Sequence, residues 1–257
     1  MSIRERKIQS THPSAVLLNE DELQRIRTCV REASEELQKM KIAVVYGGDT
    51  KEREVSLVSG KAVYEALKGD GFYTSLYDLD YAKLDKADLL EYDLLFLTLH
   101  GGRGEDGTFQ GYLDSLGIPY VSTGVLPSAI AMNKPVFKLI VTALGFNTPP
   151  YIHLIGRSSR VTADQLKEIE SDRFVVKPAC EGSSVGVSIV SREELEEVTR
   201  KTLEEYGEVI LEKYIEGREV TVPILGERNK PVVLPLVEIA PNKEPFYTYK
   251  AKYTPGE

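Results

Sequence analysis

From Lys41 onward the chain alternates short, almost wholly apolar runs with segments of helical period. KIAVVYGG, YTSLYDLD and DLLFLTLHGG are separated by a helical stretch reaching about Leu67 and by a second, polar one. Apolar runs this short, set between helices, read as strands buried on both faces, so the order predicts a parallel sheet covered by helices on both sides. IPYV adds a short strand, residues 125 to 145 read as helical, and Pro149-Pro150 break the pattern. Beyond the break the chain predicts a strand (YIHLI), a helix (TADQLKEIE), a strand (FVVKPA), a glycine and serine loop, a strand (VSIV) and a charged helix through Tyr206. EVILEKYI, REVTVPILG, PVVLPLVEIA and FYTYKAKY follow as mostly strand, which makes this half α+β. Ahead of Lys41, residues 20 to 40 place Leu23, Ile26, Val30, Ala33, Leu37 and Met40 at helical spacing, with Asn19 as a cap. That helix serves either to cover a patch of the following domain or to dock a partner.

A length of 257 residues suits two domains of ordinary size. Hydrophobic residues at 42% and charged residues at 28% describe a soluble globular chain, and a formal net charge of -8 argues against general nucleic-acid binding. Cys29 and Cys180 show neither paired nor metal-type spacing, which fits a reducing, cytoplasmic setting. No apolar run approaches the ~18 residues of a membrane helix, and the N-terminal stretch lacks a signal-peptide core. No cluster of His and Cys suggests a metal site, and the three histidines support no Ser-His-Asp arrangement.

Chemistry concentrates at strand ends, where open parallel sheets bind ligands and helix N-termini favour anions. In EGSSVG, Glu181 to Gly186, backbone N–H groups and two hydroxyls suit phosphate oxygens; a tight turn would use the same residues. Lys177, leaving the apolar strand FVVK, needs an anionic partner if it turns inward. Glu212 ends one strand run and Glu219 begins another, so the two can flank a pocket with Ile215 in its wall, or sit on a solvated connection. HGGRGEDGTFQG packs five glycines, three charged residues and His100 into twelve positions before a helix. His100 there is a candidate substrate contact and equally a hydrogen-bonded structural residue. Glu52 and Glu54 fall at a helix start, where they compensate the dipole or, for Glu52, receive a substrate ammonium.

In this order GGDTKEREVSLVSG, HGGRGEDGTFQG, GIPYVSTGVLPSAIAMNK, KPACEGSSVG, LEKYIEGRE and YKAKY resemble D-alanine–D-alanine ligases of the ATP-grasp superfamily, from Lys41 to the end. The resemblance implies an N-terminal parallel sheet with helices on both faces, followed by an incomplete ATP-grasp α+β region. It divides the chain into an extension (1–40), a substrate-binding α/β domain (41–122), a central ATP-grasp subdomain (123–211) and the beginning of a C-terminal subdomain (212–257). It implies phosphorylation of one D-alanine carboxylate by ATP and attack on the acyl phosphate by the amine of a second, for peptidoglycan precursor synthesis. Lys134 and Lys177 would hold phosphates, and Glu181, Gly182, Ser183 and Ser184 would close over them. Glu212 and the backbone of Lys213 and Ile215 would meet adenine, and Glu219 the ribose. Glu52 would bind the ammonium of the first D-alanine and join Ser183 and Tyr253 in a hydrogen-bonded triad, while Lys252 would serve the anionic reacting groups.

Two departures accompany the resemblance. The family pattern does not cover residues 1–40. The chain ends within the segment matching a mobile loop, so the family's Mg²⁺ ligands are expected beyond Glu257, and the 257 residues alone are expected to be inactive or nearly so. The expected partners are small molecules, ATP and D-alanine, with a homodimer as the family's common assembly. A related amino-acid ligase, a non-catalytic nucleotide- or amino-acid-binding protein, and one half of a split enzyme stand as alternatives.

Overall fold

The computed structural model describes residues 20–225 and 231–239. Its first helix, α1 (Glu20–Leu37), matches the amphipathic segment ahead of Lys41; the Asn19 cap lies outside the described residues. A parallel sheet follows, made of β1 (Ile42–Gly47), β2 (Thr74–Leu79), β3 (Leu94–Leu97) and β4 (Tyr120–Val121) in the order β2-β1-β3-β4. Between them run α2 (Arg53–Gly69), α3 (Lys86–Leu89) and α4 (Thr108–Leu116). α3 is a single turn, shorter than the pattern predicts, started by Asp85, whose carboxylate accepts from Ala87 N at 2.9 Å.

Both faces of this sheet are covered. Ala43 and Val45 of β1 join Leu79, Leu89, Leu95, Phe109 and Leu113 in one core. Ile42 and Val44 alternate to the other face, where α2 packs so closely that a Cβ on Gly60 would stand 2.4 Å from Tyr46 Cβ. Chain order reverses between β1 and β3, the switch point where the loops after two strands diverge and leave a crevice. The loops after β1 and β3 carry Glu52 and His100.

α5 (Val125–Met132) and α6 (Lys134–Ala143) lead out of this sheet. They part at Asn133, whose side chain accepts from Val136 N at 3.0 Å while Pro135 sits in the first turn of α6. The second sheet is antiparallel, ordered β5-β8-β6-β7, from β5 (Tyr151–Ile155), β6 (Arg173–Pro178), β7 (Ser188–Ser191) and β8 (Glu208–Lys213). α7 (Ala163–Ile169), opened by a Thr162–Gln165 capping box, and α8 (Leu195–Tyr206) supply Ile169, Leu195 and Leu203 to its core. Phe174, Val176, Val209 and Leu211 face those helices. By the two-residue alternation of strands, Lys177 and Glu212 face the other way. The predicted segments REVTVPILG and PVVLPLVEIA each resolve into two short strands, because Pro223 and Pro235 cannot donate to a ladder. These are β9 (Glu219–Thr221) and β10 (Ile224–Leu225), then β11 (Val232–Val233) and β12 (Val237–Ile239), paired antiparallel as β9–β12 and β10–β11.

Candidate active site

The loop between β1 and α2 puts Glu52 at the N-cap position of α2. Its side chain makes no capping bond, although it is only 2% exposed, and its Oε1 has no hydrogen-bond partner. A buried carboxylate oxygen left in this way is costly unless a donor or cation arrives. The surroundings bring two peptide backbones against the same group. A Cβ on Gly101 would lie 2.6 Å from Glu52 Oε2, and one on Gly182, in the EGSSVG loop, 3.2 Å from it. Gly101 has φ 68° and ψ 168°, a conformation open essentially to glycine, and its N–H donates to Glu105 Oε2 at 2.6 Å. Two carboxylates therefore meet where the phosphate-type loop touches the first sheet.

The loops that carry these groups are tied to each other. Thr50 Oγ1 donates to the His100 carbonyl at 2.7 Å, and Arg103 pairs with Asp49 while its guanidinium carbon stands 3.9 Å from the Tyr81 ring centre. Burial pushes the Tyr81 hydroxyl far above its ordinary pKa. His100 lies 3.2 Å from Ser59 Oγ through Nε2, so it is held to α2, on the first sheet's side of the crevice.

In the second sheet, β6 delivers Lys177 and then the loop, in which Ser183 and Ser184 adopt positive φ of 46° and 64°. Two consecutive non-glycine residues in that region store strain, the kind of backbone that clusters at ligand-binding loops. Lys134, at the start of α6, reaches under the loop and donates to the carbonyls of Ala179 at 3.4 Å and Glu181 at 2.5 Å. Burial, then the neighbouring Lys177 charge, hold the Lys134 ammonium below its ordinary pKa, as for a cation awaiting a stronger partner. A cleft of about 440 Å³ opens between the two sheets, with Lys134, Glu181 to Ser184, Glu105 and Gln110 in its wall.

Lys177 itself pairs with Glu212 Oε2 at 2.6 Å, and Glu212 Oε1 is held by Lys138 at 3.0 Å. Lys213 ends β8 half-buried, whereas Ile215 and Glu219 are exposed on the segment that follows. The geometry thus sets Gly182 against Glu52, Lys134 on the carbonyl of the adjoining Glu181, and Lys177 on Glu212, near enough for its charge to act on Lys134. Lys252 and Tyr253 lie outside the described residues. Glu105 and Lys138 were not among the sequence candidates. Glu105 sits in the glycine-dense segment already singled out, and Lys138 is four residues after Lys134, on the same helix face. Among the described residues no group of three or more His, Cys, Asp or Glu could hold a metal ion, and no helix is long and apolar enough to cross a membrane.

A parallel sheet presenting a buried carboxylate at its switch point, joined to an antiparallel sheet presenting lysines under a glycine and serine loop, is an α/β architecture shared with solved ligases of the ATP-grasp fold. Residues 79–123 match the family model for the D-ala D-ala ligase N-terminus and residues 140–257 that for the C-terminus. The D-alanine–D-alanine ligase of Carboxydothermus hydrogenoformans is 40% identical over 84% of this chain and 70% of its own length; that of Geobacter sulfurreducens is 43% identical over 87% and 68%. Among solved structures, the D-alanine–D-alanine ligase of Bacillus anthracis complexed with ATP aligns with TM-score 0.67 and 34% identity, covering 81% of this chain and 68% of that one. The D-Ala:D-Ser ligase of Enterococcus faecalis aligns at 0.64 with 28% identity, covering 83% and 73%. The chain belongs to the D-alanine–D-alanine ligase family.

Proposed function

We propose that the protein joins two D-alanines at the expense of ATP, through an acyl phosphate, to make a peptidoglycan precursor. The observation that carries this reading is the buried Glu52 carboxylate, with one oxygen unpartnered, abutted by Gly182 of the phosphate-type loop. A free carboxylate is a poor electrophile, so the first D-alanine must be activated. Glu52 takes its ammonium, which orients the substrate carboxylate toward the loop. One carboxylate oxygen then attacks the terminal phosphorus of ATP, and ADP leaves.

Charge moves onto the transferred group and the departing ADP during that step, and positioning with electrostatic stabilisation supplies most of the catalysis. Lys134 and Lys177 serve there as cations, with backbone N–H groups of Glu181, Gly182, Ser183 and Ser184. Glu212, the Lys213 and Ile215 backbone and Glu219 hold the nucleoside. The amine of the second D-alanine next attacks the acyl carbon, the peptide bond forms, and the C–O bond to phosphate breaks. Closure of the loop, with the Glu52, Ser183 and Tyr253 triad and Lys252, excludes water that would hydrolyse the intermediate. His100 supports the amino-acid side through Ser59 and the β3 loop; Mg²⁺, held by the nucleotide phosphates, would supply further charge stabilisation there.

In this reading 41–122 binds the amino acid, 123–211 and 212–257 enclose the nucleotide, and 1–40 is an extension. A cytoplasmic setting and a homodimer belong to it as well. The likeness to a D-Ala:D-Ser ligase favours a second reading, in which the second amino acid differs. The test is phosphate release by the full chain with ATP and Mg²⁺, with D-alanine, D-alanine plus D-serine, L-alanine or no amino acid, and mass spectrometry of the dipeptide. D-alanyl-D-alanine with stoichiometric phosphate supports the reading; a mixed dipeptide in preference shifts it to the second; nucleotide hydrolysis indifferent to D-alanine contradicts both.

A further inference from the structure

Two lysines share one buried carboxylate on the second sheet, and they are held differently. Lys138 meets Glu212 Oε1 at 3.0 Å with side chains only 5% and 8% exposed. It also donates to Thr148 Oγ1 at 2.6 Å and stands 4.9 Å from the centre of the Tyr151 ring, so three groups fix it. Lys177 meets Oε2 at 2.6 Å, is 22% exposed, and lies at the end of β6, directly before the loop that closes on the cleft. Two ammonium groups against one carboxylate leave an excess positive charge in a half-dry site. A single lysine could not leave Glu212 without stranding a buried anion, whereas the second can.

We propose that Lys138 is a positioning residue of the nucleotide site: it is the standing counter-ion of Glu212, and it frees Lys177 to pass from that carboxylate to the phosphates of an adenine nucleotide. The inference rests on the reading of this site as an ATP site. Glu212 then keeps a fixed acceptor geometry for an adenine amino group while Lys177 moves, and nucleotide entry costs no unpaired charge. A lysine that merely supports the packing of α6 on the sheet would affect every nucleoside alike.

Calorimetry on the full chain with ADP and with adenosine separates these roles, because adenosine asks nothing of Lys177. Lys138→Met should weaken ADP by roughly 30-fold, as when one partner of a buried charge pair is removed, and adenosine by less than about threefold. Lys138→Arg should restore most of the ADP-over-adenosine preference. Glu212→Gln, alone or with Lys138→Met, removes the need for a counter-ion and should leave that preference at or above the wild-type value, which also tests the idea if Lys138→Met fails to fold. An unchanged preference in folded Lys138→Met, or a preference lost and not recovered in the double variant, overturns the role of Lys138 while the ATP site stands. A wild-type chain that binds neither ligand overturns the ATP-site reading together with it.

Discussion

Glu52→Gln should separate substrate binding from stability with opposite signs. The substitution keeps size and shape but removes the charge of a carboxylate that is 2% exposed and whose Oε1 lacks a partner. With D-alanine present, a charge-assisted bond to the ammonium becomes a neutral one; loss of a buried pair of this kind costs about 2–3 kcal/mol, or roughly 30- to 140-fold in Kd. In the free protein the same change removes a buried charge whose Oε1 has no hydrogen-bond partner, so stability should hold or rise; a gain of about 1 kcal/mol would lift Tm by roughly 2–4 °C. Stability rising as function falls is the usual signature of a polar site kept for binding. The assay is calorimetric titration of D-alanine and of ADP with a thermal melt of each variant. The reasoning fails if Glu52→Gln lowers Tm, or if affinity for ADP falls as far as affinity for D-alanine.

Two further perturbations follow from the same geometry. Burial lowers the Lys134 pKa, so in the window between that lowered value and the ordinary 10.5 the unfolded chain binds more protons, and stability from this group rises with pH. Lys134→Met should therefore stabilise the protein near pH 7, with a Tm advantage that shrinks toward pH 10 while ADP affinity drops; an advantage that grows with pH would contradict the assignment. Gly101→Ala combines the glycine-only backbone of 68° and 168° with a Cβ 2.6 Å from Glu52 Oε2, and should cost about 1–3 kcal/mol by chemical denaturation and weaken D-alanine binding. An Ala variant as stable as wild type would mean the loop after β3 adopts another path.

Most of this architecture could be read from period and punctuation. β1 and β3 announce themselves because strands buried on two faces need apolar side chains on both, and the break between the sheets lies at Pro149-Pro150. The convergence of Glu52 with Gly182 could not be read, because it joins residues 130 positions apart in sequence across two sheets. Lys138 was hidden for a more specific reason. Pattern reading assumes that a helix turns its apolar face inward, yet α6 buries Lys138 while Phe137 and Leu139 stay 44% and 62% exposed. Glu105 is one of three charged residues in a glycine-dense segment, and nothing in the sequence says that the Gly101 N–H holds it beside Glu52. Lys252 and Tyr253 rest on motif likeness alone.

The most direct test is isotope transfer during turnover, because the account requires a D-alanine carboxylate oxygen to become bonded to phosphorus. The full chain would be supplied with ATP, Mg²⁺ and D-alanine labelled with ¹⁸O in its carboxylate, and the released phosphate analysed by mass spectrometry. However slow the turnover of these 257 residues, the account predicts one labelled oxygen in each phosphate released with D-alanyl-D-alanine; phosphate released without the label would contradict the acyl phosphate and the role given to Glu52 in presenting the carboxylate.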